Sequence, residues 1–133
     1  MLQTLLHNAK MVSSIYGTEE LVWPGGTLRK VNFDNAPYPS LGVGVEPANY
    51  PAKPPAKWQL AGYNTCILGL RFTEVTALTL TTQGEFRLVN IVAERIGALH
   101  RVTFEGEGTA LLRIEAQYMD VSSINAYLNG HEW

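Results

Sequence analysis

Apolar and polar positions alternate most clearly between Tyr63 and Phe72. Asn64, Cys66, Leu68, Leu70 and Phe72 fall on one side of an extended chain, and Tyr63, Thr65, Ile67, Gly69 and Arg71 on the other. The first set is the more apolar, so the segment is expected to be a strand with one face on a core. After Thr73-Glu74, the run from Val75 to Thr82 is rich in β-branched residues, which suit a pleated, half-buried surface, and reads as a second strand. This passage, beginning at Lys57, is the longest apolar-rich stretch, and the rest of the chain lies against it or repeats its rhythm.

Upstream, Leu2, Leu5, Leu6, Ala9, Val12, Ile15 and Tyr16 recur at spacings of three and four, the stripe of an amphipathic helix that Gly17 would stop. Trp23-Pro24-Gly25-Gly26 predicts a tight turn. Short strands are expected at 28–34 and 40–46, joined by a hairpin loop through Asn35-Ala36-Pro37-Tyr38-Pro39. Four prolines between Pro47 and Pro55 then deny ladder hydrogen bonds and predict a stiff surface connection.

Downstream, Thr82-Gln83-Gly84-Glu85 reads as a turn. The segment from Leu88 to Arg95 alternates as a strand, although a helix can also be drawn through it. A β-hairpin is expected from Leu99–Glu105 and Thr109–Gln117 around Gly106-Glu107-Gly108. In the tail, Val121, Ile124, Tyr127 and Leu128 are spaced by three and four with Asp120 as an N-cap, which favours a short helix over a last strand. The sum is a single α+β domain. Its sheet is mainly antiparallel, sandwich-like or curved, with about seven strands, an N-terminal helix and a short C-terminal helix or strand.

Composition narrows the function more than the fold. The 133 residues carry a formal net charge of −2, with no basic stripe for nucleic acid. There is no apolar run long enough to span a membrane and no signal-peptide start, so the cytoplasm is the expected compartment. The single cysteine, Cys66, excludes an internal disulfide and is expected in the core.

No catalytic residue, cofactor site or metal site is nominated. His7, His100 and His131 lack partners at metal-ligand spacing and are expected to be exposed or capping. Glu105 and Glu107 flank a hairpin turn, where paired carboxylates are ordinarily solvated charge. The glycines, including Gly42, Gly44, Gly106 and Gly108, are read as serving backbone geometry. The surplus is aromatic. Tyr38, Tyr50, Trp58 and Tyr63 gather around the proline loop, where rigid rings either anchor a partner protein or pack the loop onto its own sheet. Trp23 and Trp133 lie elsewhere in the chain.

The order of these features resembles the immunity protein 50 family of bacterial polymorphic toxin systems. The resemblance rests on Ile15-Tyr16-Gly17 ending the first helix, the two strands at 28–34 and 40–46, and the run from Leu68-Gly69-Leu70-Arg71-Phe72 into Val75-Thr76-Ala77-Leu78-Thr79-Leu80. It departs from the family at Leu21-Val22-Trp23-Pro24-Gly25-Gly26, which lacks the His-Asp pair that members often carry there. The resemblance implies a small non-enzymatic protein that binds and neutralises a cognate toxin protein; separately, a monomer or homodimer is expected. Tyr38, Tyr50, Trp58 and Tyr63 are the nominated partner-binding residues. Two rival readings come from other classes. One is a ligand pocket in a curved sheet with Cys66, Arg71 or Tyr63 as polar handles; the other is self-association through an exposed edge strand.

Overall fold

A computed structural model describes residues 10–35, 37–81 and 86–129. Six strands form one antiparallel sheet: β1 (Thr27–Asp34), β2 (Ser40–Glu46), β3 (Thr65–Leu80), β4 (Asn90–Ile96), β5 (Leu99–Gly106) and β6 (Thr109–Tyr127). Their order across the sheet is β1-β2-β3-β6-β5-β4. Two short helices accompany it, α1 (Lys10–Tyr16) and α2 (Ala56–Ala61). The first part of the helix expected from residue 2, and the turn expected at 82–85, lie outside the described residues, as do His7, His131 and Trp133.

Long β3 and β6 serve both ends of the sheet. The first half of β3 pairs with β2, Ser40 facing Thr73 and Val45 facing Leu68. Its second half pairs with the start of β6, which in turn carries β5. Between the halves, Glu74 adopts a φ of 53° and the β3–β6 register slips between Val75 and Ala77. Bulges increase local twist, so the sheet curls about its core at this point. The two strands expected here are therefore one bent strand, and the break at Thr73-Glu74 marks the bend.

The expected C-terminal helix is the second half of β6. Gly69 pairs with Ser123 and Leu70 with Val121, so Ser122 is an extra residue in a bulge. The bulge lets Val121 and Ile124, three apart, both face the core, which imitates helical spacing in an extended chain. β1 uses the same device. Leu28 faces Val45 and Val31 faces Val43, with Arg29 as the extra residue.

The concave side of the sheet holds Leu41, Leu68, Leu70, Phe72, Phe104, Leu112 and Ile114, all essentially inaccessible to solvent. Val12 and Tyr16 of α1, together with Leu21, Trp23, Trp58 and Leu88, close it. Cys66 is buried among them as expected. The helix α2 is an addition to the sequence reading. It follows Pro55 and ends at Gly62 in the left-handed region, whose N–H donates to Gln59 O at 3.1 Å, and it buries Trp58. His100 corrects another expectation. It is not an exposed histidine but a core-facing one on β5, with 7% of its surface accessible.

The curl brings the outer strands near each other. Leu28 N donates to Phe86 O at 2.8 Å, Leu88 N to Gly26 O at 2.8 Å, and Gly25 N to Leu88 O at 3.0 Å. One residue later Val89 N donates to Glu105 O of β5 at 2.7 Å. The segment leading into β4 thus stitches the start of β1 to the opposite side of the sheet.

Candidate functional site

Strand alternation sends apolar side chains inward, so the outer face of β1-β2-β3-β6 carries the remaining residues. The pairing register arranges these in rows. Lys30, Gly44, Gly69 and Ser123 form one row, and Asn32, Gly42, Arg71 and Asp120 the next. No described helix crosses this face. The glycines leave a groove of about 270 Å³, into which Lys30, Asn32, Ser122, Ser123 and Asn125 converge around Ile67.

The three groove glycines are held by different causes. A Cβ at Gly69 would collide with the Ser123 and Ser122 hydroxyls. One at Gly44 would come within 3.2 Å of the Ile67 side chain and 3.3 Å of Lys30 Cβ. At Gly42 a Cβ would meet nothing within 4 Å, and the backbone is not left-handed. Among the described residues nothing requires glycine there.

Beside the groove stands a cluster tied across three strands. Glu46 of β2 retains only 5% of its accessible surface. Arg29 of β1 grips both its carboxylate oxygens at 3.1 Å, Nε donating to Oε2 and Nη2 to Oε1. Tyr127 of β6 donates its hydroxyl to Oε2 and accepts from Arg29 Nη2 at 3.3 Å. The arrangement gives a buried charge the paired, hydrogen-bonded surroundings it needs. The hydrogen bond to Glu46 strengthens the hold of Arg29 on its proton, while burial, reinforced by Glu46, pushes the Tyr127 phenol up. The cluster is a two-point Arg29–Glu46 ion pair closed by the Tyr127 hydroxyl.

The nominated aromatics divide. Trp58 is 6% exposed in the core, and Tyr50, half-buried, packs tilted against it with ring centroids 6.2 Å apart. These two rings fasten the proline loop to its own sheet. Tyr38 and Tyr63 are 65% and 38% exposed, the first just ahead of β2 and the second between α2 and β3. The structure brings Tyr50 and Trp58 together and leaves the other two at opposite ends of the first half of β3.

Of the proposed polar handles, Arg71 lies on the outer face, but Cys66 does not. Its thiol is buried beside Tyr16, and burial pushes its pKa up, away from thiolate chemistry. Burial likewise raises the Tyr16 phenol, whose hydroxyl donates to Asn49 O at 2.8 Å. Among the described residues no group of three or more His, Cys, Asp or Glu is placed to hold a metal.

Lys30, Ser122, Ser123 and Asn125 were not singled out by sequence reasoning, and Gly42 was read there only as serving backbone geometry. A signal existed, since Gly42, Gly44 and Gly69 all fall on the polar side of an alternating pattern. What the sequence lacks is the register that sets them side by side.

No curated protein and no solved structure matches the chain. A family model, that of immunity protein 50, matches residues 8–127, nearly the whole fold from α1 to the end of β6, and the chain belongs to that family.

Proposed function

We propose that this protein neutralises a cognate bacterial toxin by direct protein–protein contact in the cytoplasm, without catalysing a reaction. The observation that carries the reading is the family match over residues 8–127. The geometry is consistent with it. The described residues offer a sheet face with a polar groove, backed by a densely packed core. The polar groups on that face are aimed outward, and the buried carboxylate of Glu46 is committed to Arg29 and Tyr127.

Co-expression with the toxin encoded beside its gene is expected to restore growth, and the two purified proteins are expected to form a complex by calorimetry. Absence of binding at micromolar concentration overturns the reading.

A further inference from the structure

We propose that the groove between β1, β2, β3 and β6 receives an aspartate or glutamate side chain from the toxin, held by Lys30 and the hydroxyls of Ser122 and Ser123. This inference rests on the toxin-binding reading and deepens it.

The first argument is charge. Among the described residues Lys30 is the only charged one lining the groove, and it makes no ion pair with any of them. Arg29 next to it is already neutralised by Glu46. Among the described residues of a chain of net charge −2, Lys30 is thus an uncommitted cation inside a concavity. The same groove is lined by two hydroxyls and the amides of Asn32 and Asn125, groups able to donate hydrogen bonds. A carboxylate accepts such bonds and complements the charge.

Size is the second argument. About 270 Å³ falls just below the span of roughly 300–1,000 Å³ that ordinarily houses a small-molecule ligand. It fits one or two protein side chains reaching in from a partner.

The third is Gly42. Glycine inside a strand gives up more conformational freedom on folding than alanine would. Neither positive φ nor crowding demands it here. A bare strand position is useful where another chain approaches closely. The empty space above Gly42 is the groove itself.

The test uses two variants with the full chain and the neighbouring toxin, followed by calorimetry and thermal unfolding. Gly42→Val fills the groove with a residue that suits a strand, and Lys30→Glu reverses the charge at an exposed position. Both are expected to unfold no earlier than the wild type and to bind the toxin about tenfold more weakly or worse. The Lys30→Glu loss is expected to shrink as salt is raised, because screening weakens repulsion between carboxylates. If either folded variant binds within about twofold of wild type, the groove assignment is overturned while toxin neutralisation stands. If the wild type itself does not bind, the broader reading fails and the groove falls with it.

Discussion

At the scale of single residues, the same residue type does different work at neighbouring positions of one sheet face. Gly69 is a packing glycine whose missing Cβ leaves room for the Ser122 and Ser123 hydroxyls. Gly69→Ala is expected to cost about 1–3 kcal/mol by overpacking, read as a fall in urea midpoint, whereas Gly42→Ala is expected to be neutral or stabilising. Equal effects at both positions would refute the distinction. The aromatics divide in the same way. Trp58 is buried, so Trp58→Ala is expected to destabilise by about 3–5 kcal/mol. Tyr38→Ala and Tyr63→Ala, at exposed positions, are expected to stay within about 0.5 kcal/mol of wild type. Any loss of toxin binding on replacing Trp58 therefore has to be separated from unfolding, while a loss at Tyr38 or Tyr63 reports contact directly.

At the scale of elements, the Arg29–Glu46–Tyr127 cluster joins β1, β2 and β6 by hydrogen bonds that span the intervening β3. Removing the carboxylate strands a phenol and a guanidinium, but Arg29 is half-exposed and water can replace part of what it loses. Glu46→Ala is expected to cost about 1–2 kcal/mol in urea unfolding, and Glu46→Gln, which keeps the shape and an acceptor, less than that. A cost for Glu46→Gln equal to that for Glu46→Ala would show that charge, not shape, holds the tie. The elements differ in how far the sequence displays them. The strand at 40–46 was legible to its ends, because Leu41, Val43 and Val45 alternate without interruption. The hairpin of β5 and β6 was legible from its glycine loop, where Gly108 has a φ of 73°. The tail was misread as a helix because the Ser122 bulge turns a period of two into an interval of three between Val121 and Ile124. The same shift at Arg29 hid that Leu28 and Val31 face one core. A bulge is a property of pairing, and pairing partners are not written in a strand's own residues. For that reason the groove, which is made by register, was out of reach although each of its residues was in view.

At the scale of the whole molecule, curling of the sheet decides which groups meet water. The stitching of residues 86–88 onto β1 leaves less free edge, and the other outer strand, β4, carries Glu94 and Arg95, charges that discourage pairing with another copy. The curl also encloses His100. Arginine can only donate, so Arg95 Nη1 at 3.4 Å makes His100 Nε2 the acceptor, and the proton of the neutral ring sits on Nδ1, buried without a hydrogen-bond partner. Burial first, then the charge of Arg95, pull the pKa of this histidine below its ordinary value. The fold thus favours the neutral ring. Above about pH 6.5, where the unfolded chain is also neutral, the fold keeps the full benefit. As pH falls below that value the unfolded chain takes up a proton that the folded chain resists, and stability is lost until the folded pKa is passed. The urea midpoint is therefore expected to drop between about pH 7.5 and pH 5.5. His100→Phe keeps an apolar ring without a proton site, so its midpoint is expected to change less over that interval. His7 and His131 remain in both proteins, and their titration cancels in the comparison. An identical pH slope in wild type and His100→Phe would mean that the buried ring is not the group that senses acid.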